Sequence, residues 1–162
     1  MKIALVPGSF DPFSLGHLSI VERAARMFDK VYVTVMQNDK KQYLFTAQER
    51  LFLVKKAISH IKNAEADFYG GMLWEYARDK KINAIVKGIR NAEDLQYETE
   101  MAEFNASRYP GAVTVFLPAE PGKDVLSSTK IREILQKNES IEGLVPQNIE
   151  NEIKQIYRGK NR

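Results

Sequence analysis

A chain of 162 residues, 44% of them hydrophobic, has the length and apolar content for one domain around one core. It contains no cysteine, which excludes disulfides, thiolate metal sites and a cysteine nucleophile and leaves stability and chemistry to packing and to oxygen and nitrogen groups. The net charge of +3 comes from the chain end: residues 154–162 carry Lys154, Arg158, Lys160 and Arg162 with no acid, while residues 1–153 hold 20 basic against 21 acidic groups, so the body of the domain is not a basic nucleic-acid-binding surface.

The first element, Lys2–Val6, is a short apolar run that predicts a strand and is too short for a signal peptide. No later apolar run approaches a bilayer span, so a cytoplasmic chain with no membrane partner is expected. Leu18, Val21, Ala25 and Phe28 follow at helical spacing, then a strand at Lys30–Met36. Thr46 and Glu49 form a capping-box pattern that opens a helix carrying Leu51, Val54, Ile58 and Ile61. His60 reads as a surface or structural residue. A strand is expected at Ala64–Tyr69, with Trp74 and Tyr76, near Met72 and Leu73, as core or pocket wall. Ala84–Lys87 is the fourth strand, Leu95, Met101, Ala102 and Phe104 mark the next helix, and Ala112–Leu117 is the fifth strand. Pro146 opens a last helix with Ile149, Ile153 and Ile156, and residues 154–162 read as a basic, frayed tail, with an RNA-binding arm as the alternative.

Each strand run is continuous enough to be buried on both faces, and strands alternate with helices throughout. That order predicts an α/β fold: a Rossmann-like parallel five-stranded sheet flanked by helices, in a single domain over residues 1–162. Ligands bind such sheets beyond the carboxyl ends of the strands, which points to loops 7–17, 37–45, 70–73, 87–94 and 118–130.

Loop 7–17 is the most informative. In Pro7-Gly8-Ser9-Phe10-Asp11-Pro12-Phe13-Ser14-Leu15-Gly16-His17 the glycines permit close backbone approach, the serines offer hydroxyls, and His17 stands at a helix start, where free N–H groups favour phosphate. The dinucleotide fingerprint Gly-x-Gly-x-x-Gly is absent. Gly-Ser-Phe-Asp-Pro followed by Ser14-Leu15-Gly16-His17 resembles the His-x-Gly-His signature of the nucleotidyltransferase superfamily, in the form with a hydroxyl residue at the first position found in bacterial phosphopantetheine adenylyltransferases. Ser127-Ser128-Thr129-Lys130-Ile131-Arg132 resembles the superfamily's second signature. Gly88-Ile89-Arg90-Asn91-Ala92-Glu93-Asp94-Leu95-Gln96-Tyr97-Glu98 and the Lys41, Leu44-Phe45-Thr46, Glu49-Arg50 segment resemble stretches particular to the phosphopantetheine enzymes.

The resemblance, which runs from about Lys2 to Pro146, implies AMP transfer from ATP to 4′-phosphopantetheine, giving dephospho-coenzyme A and pyrophosphate, the penultimate step of coenzyme A synthesis. It implies catalytic roles for His17, Lys41 and Arg90. It places ATP on Ser9, Phe10, His17, Gly88, Ile89, Arg90, Glu98, Lys123, Asp124, Val125, Leu126, Ser127, Ser128 and Thr129. It places phosphopantetheine on Ser9, Lys41, Leu73 and Lys87. Magnesium bound with ATP, coenzyme A as a feedback ligand and a homo-oligomer, a hexamer, are implied too, with no protein metal site.

The chemistry is consistent with those roles. A phosphate monoester is largely dianionic at neutral pH and needs no general base to attack, so the protein must align the attack and stabilise charge growing on the α-phosphate. Taken alone, Lys41 beside Lys40 would read as a solvated lysine, and Asp94 and Glu98 as polar helix surface. Four positions depart from the family's usual pattern: Lys87 for arginine, Lys123-Asp124 for a more aromatic, serine-containing pair, and Asp39 for proline. A lysine at the end of a buried strand needs an anionic partner, which a substrate phosphate supplies; pairing with an acid of the protein is the other reading. Rivals to the catalytic assignment are a related nucleotidyltransferase with another acceptor, a noncatalytic nucleotide or coenzyme A sensor, and an RNA-binding protein.

Overall fold

The five expected strands form at β1 (Ile3–Gly8), β2 (Lys30–Met36), β3 (Ala64–Tyr69), β4 (Ala84–Ile89) and β5 (Val113–Pro118) of the computed structural model, which describes residues 1–124 and 126–161. All pair in parallel, in the order β3-β2-β1-β4-β5. Around the sheet lie α1 (Leu15–Met27), α2 (Ala47–Ala57), α3 (Leu73–Asp79), α4 (Ala92–Arg108), α5 (Ser128–Gln136) and α6 (Gln147–Lys160).

Strand alternation sorts the core into two layers. Ala4 and Val6 of β1 point with Val31, Val33 and Val35 of β2 into the larger layer, closed by Val21, Leu53, Val54, Ile131, Ile149 and Ile153 from α1, α2, α5 and α6. Leu5 and Ile85 point the other way, onto Tyr76 and Ala77 of α3, Ile82 and Ala112. Burial on both faces holds for the centre of the sheet but not for β3 and β5, which contain no buried residue. The reason is topological: the crossovers put these two strands at the edges. The helix expected from Leu95, Met101, Ala102 and Phe104 forms as α4, yet none of its residues is buried, and Leu95 and Tyr97 are exposed. The basic stretch expected as a frayed tail is, through Lys160, the last turns of α6, where Lys154 pairs with Glu150 at 2.8 Å and Lys160 with Glu49.

The strand order reverses between β1 and β4, and there the sheet opens. β1 pairs with β2 through six positions but with β4 only at Ala4↔Ala84 and Leu5↔Ile85. Beyond them the strands part, and Pro7, with no N–H to donate, stands where the ladder stops. The segment that follows β1 is held from several sides. The Arg50 side chain is fully buried, and its guanidinium donates to the carbonyls of Ser9 (2.9 Å), Phe45 (3.2 Å) and Met36 (3.2 Å) and to the Gln37 side chain. The Asp11 carboxylate accepts from the Leu44 and Phe45 N–H groups, each at 2.9 Å, which ties loop 37–45 to the same segment.

Arg50→Ala would leave three buried carbonyls without their donor, and removing a buried charged hub of this kind costs about 3–5 kcal/mol. Urea unfolding of this variant should show a correspondingly lower midpoint. A midpoint equal to that of the wild type would show that the guanidinium is not what holds the loop.

Candidate active site

Ser14 starts α1 as its N-cap: its hydroxyl accepts from the His17 N–H at 3.2 Å, and the Ser14 N–H donates back to His17 Nδ1 at 3.0 Å. This is a capping box with histidine in the place usually taken by glutamate. Because Nδ1 accepts a backbone N–H, the ring proton belongs on Nε2. The imidazole packs against the Phe10 and Phe13 rings, with centroids 5.0 and 5.5 Å away. Burial, together with Lys87 and Arg90, pulls the His17 pKa down to about 4. His17 is therefore a neutral Nε2–H donor at physiological pH.

Phe10 adopts a left-handed backbone at φ 51 that turns its ring back over Gly8, where a Cβ would lie 2.7 Å from the ring. Gly88 is the matching point on β4; a Cβ there would press to 3.0 Å from Ile20. The two glycines keep narrow a cavity of about 310 Å³ between α1, the end of β4 and the loop after β5. Phe10, His17, Lys87, Gly88, Ile89, Arg90, Glu98, Lys123, Leu126, Ser127, Ser128 and Thr129 all line it. The starts of α1 and α5 both open onto it, and each brings backbone N–H groups and a positive dipole end. Ser127 caps α5 through the Lys130 N–H at 3.1 Å, and the Ser128 hydroxyl donates to the Pro12 carbonyl at 2.8 Å. The Thr129 hydroxyl accepts from Arg132, which also bonds the Asp11 carbonyl.

A second, more open cavity of about 750 Å³ adjoins the first and contains Ser9, Lys41, Leu73 and Lys87. Pro7, Gly8, Lys87 and Glu98 line both. Ser9, expected at ATP as well, borders only this second cavity, because its carbonyl is turned to Arg50. Asp124 is exposed and lines neither cavity, and Val125 lies outside the described residues. His60 is on the surface, 3.5 Å from Glu22, and Tyr76 is core, as expected.

The cations of the first cavity are not bare. Lys87 is 3.4 Å from Glu98, so the reading in which an acid of the protein is its partner describes this fold. Arg90 donates through Nε to Asp94 at 3.0 Å, and its backbone N–H reaches the same oxygen at 3.1 Å. Burial works to raise the Asp94 carboxyl, but the bonds from Arg90 outweigh it and hold the pKa below its ordinary value. Sequence reasoning assigned Asp94 no role of its own; its position four residues from Arg90 at a helix start was the available signal. It also passed over Ser19, Arg23 and Glu120, which share the cavity wall.

A histidine whose pKa is depressed by the fold keeps its full contribution to stability above its unfolded value near 6.5 and loses it as the pH falls toward 4. An NMR titration should show the His17 ring neutral down to about pH 4. Between pH 6.5 and 4, His17→Asn should lose less stability than the wild type. Protonation of the ring near pH 6.5 would refute the neutral-donor assignment.

Residues 5–134 match the family model described as cytidylyltransferase-like. The chain is 39% identical over 158 residues to a phosphopantetheine adenylyltransferase of Shouchella clausii, an alignment covering 98% of this chain and 99% of the relative. It is 42% identical over 149 residues to that of Alkaliphilus oremlandii (92% and 95%) and 40% identical over 146 residues to that of Synechococcus elongatus (90% and 88%). Matched nearly end to end by relatives of one name, the chain belongs to the phosphopantetheine adenylyltransferase family of nucleotidyltransferases.

Proposed function

We propose that this protein transfers AMP from ATP to 4′-phosphopantetheine, yielding dephospho-coenzyme A and pyrophosphate, with ATP in the smaller cavity and the acceptor in the larger. The observation that carries this reading is that the two cavities meet at Lys87 and Gly8, with the His17 donor on the ATP side of the junction. An acceptor phosphate on Lys41 and Lys87 then faces an α-phosphate held by His17 and the α1 start. The attacking oxygen forms the new P–O bond as the bond to pyrophosphate breaks, and no proton has to be removed from the nucleophile. His17 Nε2–H donates to an α-phosphate oxygen as its charge grows, and Arg90, fixed by Asp94, offers its remaining N–H groups to the β- and γ-phosphates. Ser127, Ser128 and Thr129 supply α5 backbone and hydroxyl contacts, and Leu126, Ile89 and Phe10 supply apolar walls.

Magnesium enters as part of the nucleotide, where it neutralises triphosphate charge. The cavity's carboxylates are committed to Lys87, Arg90 and Lys123, and among the described residues no cluster of His, Asp or Glu forms a cage for it. α4, in which no residue is fully buried and Leu95 and Tyr97 are exposed, supports a homo-oligomer, read here as a hexamer. Feedback by coenzyme A is consistent with an acceptor cavity that holds the pantetheine part of both molecules. No helix of the described residues is long and apolar enough to cross a membrane, which is compatible with a cytoplasmic enzyme.

Purified protein given ATP, magnesium and a panel of phosphorylated acceptors should form dephospho-coenzyme A, identified by mass spectrometry, and nothing from nicotinamide mononucleotide or glycerol phosphate. His17→Ala should lower kcat ~100- to 1000-fold with far less change in ATP affinity, because its contact strengthens only as charge develops. Near-normal turnover would remove the role.

Lys87→Ala both deletes a cation and leaves the Glu98 carboxylate facing the incoming phosphate. It should raise the KM for phosphopantetheine about 10- to 100-fold, the loss of a charged hydrogen bond, with an unchanged melting curve. Lys87→Arg should retain activity. If Lys87→Ala unfolds the protein or leaves KM unchanged, the residue serves Glu98 alone.

A further inference from the structure

Three side chains on the wall of the smaller cavity take no part in the scheme above. Ser19 and Arg23 stand one turn apart on the same face of α1, and Glu120 follows β5. The Ser19 hydroxyl donates to Glu120 Oε1, and Lys123 approaches Oε2 at 3.4 Å. Arg23 spends Nη1 on the Pro118 carbonyl at 2.9 Å; its Nε and Nη2 are buried without a hydrogen-bond partner, Nε being 3.7 Å from Glu120. That separation is too long for a hydrogen bond. A guanidinium with two buried, idle donors beside a carboxylate with spare lone pairs is a costly arrangement, unless a ligand completes it. Arg23 lies six residues beyond His17 on α1, ~9 Å along the helix axis. This is about the span of a ribose and base leading away from an α-phosphate held at His17.

We infer that Arg23 and Glu120 form the base-selecting end of the nucleotide cavity and distinguish a 6-aminopurine from a 6-oxopurine. This rests on the reading of that cavity as the ATP site. Adenine presents a ring-nitrogen acceptor beside its exocyclic amino donor, the complement of an Arg23 donor beside the Glu120 acceptor. The Ser19 hydroxyl first, then Lys123, holds the Glu120 carboxyl below its ordinary pKa, so it is ionised and can only accept. A 6-oxo group would set a carbonyl oxygen against that carboxylate. Sites built to hydrogen-bond a substrate group reject the analogue lacking it far more strongly than apolar pockets do. Ile20, Ala119 and Leu126 line the same cavity and offer apolar contacts for a base.

The test compares the dissociation constants of ATP and ITP, as magnesium salts, by titration calorimetry in the wild type, Glu120→Gln and Ser19→Ala. The wild type should bind ATP at least about tenfold tighter than ITP. Glu120→Gln, whose amide can donate to a 6-oxo group, should bring the two within about threefold. Ser19→Ala, which keeps the carboxylate, should retain the preference. A melting curve for each variant separates this effect from unfolding. Equal binding of ATP and ITP by the wild type, or an undiminished ATP preference in Glu120→Gln, overturns the inference while leaving the adenylyltransferase reading intact. Failure of the wild type to bind ATP would overturn both.

Discussion

The site depends on how the segment Ser9–Ser14 is fixed as it leaves β1. Four long-range contacts converge on it: Arg50 on the Ser9 carbonyl, Arg132 on the Asp11 carbonyl, Ser128 on the Pro12 carbonyl, and the Asp11 carboxylate on the N–H groups of Leu44 and Phe45. Through them one irregular segment is joined to α2, α5 and loop 37–45. The same contacts set Ser14, and with it His17, at the start of α1, and they bring the start of α5 to the opposite wall. A loop held by several buried bonds of a charged donor cannot drift by an ångström without breaking them. Positioning of that precision is what a reaction with little covalent chemistry asks of its protein.

The electrostatics of the cavity follow a second constraint. Arg23, Lys87, Arg90 and Lys123 would repel one another strongly if left alone at a partly closed site, and each lies near an acid: Glu120, Glu98, Asp94 and Glu120 respectively. The pairing offsets that repulsion and orients the cations, while reducing their pull on phosphate. Lysine suits the junction of the two cavities under this constraint. Its three donors turn freely on a flexible stem, so Lys87 can keep Glu98 on one and aim the others, whereas a guanidinium held bidentately by the same acid would have its remaining N–H groups fixed in direction.

Much of this was legible locally. β2 and β3 have the expected bounds, Thr46–Glu49 forms its capping box, and the glycine-serine-histidine loop lies at the start of α1. Each of these depends on residues a few positions apart. What was not legible depends on partners far along the chain. Edge position follows from strand order, so an apolar run such as Ala112–Leu117 cannot announce that it lies at the edge of the sheet. Ser19 and Glu120 are 101 residues apart, and Arg50 and Ser9 are 41 apart. Arg50 illustrates the difficulty best: a lone arginine on a capped helix reads as surface, and only the fold shows it wholly buried under carbonyls. The exposed α4 was missed for a related reason, since an amphipathic pattern states that a face wants covering without stating that the same chain covers it.

The capping of α1 ties structure and chemistry together at a single residue. Glutamate at that position would close the capping box equally well but would place a negative charge against the phosphate of the proposed substrate. A protonated imidazole would attract phosphate, yet it would stand at the positive end of the helix dipole and beside Lys87 and Arg90. Neutral histidine satisfies both demands, with Nδ1 spent on the Ser14 N–H and Nε2–H left to donate. The hydroxyl at Ser14 matters here as well, because it accepts the His17 N–H and so fixes the backbone from which the ring projects. A donor arranged in this way adds no charge of its own to the ground state. In the proposed transfer its advantage appears only as the α-phosphate oxygens gain charge, which is where stabilisation accelerates a reaction rather than merely tightening binding.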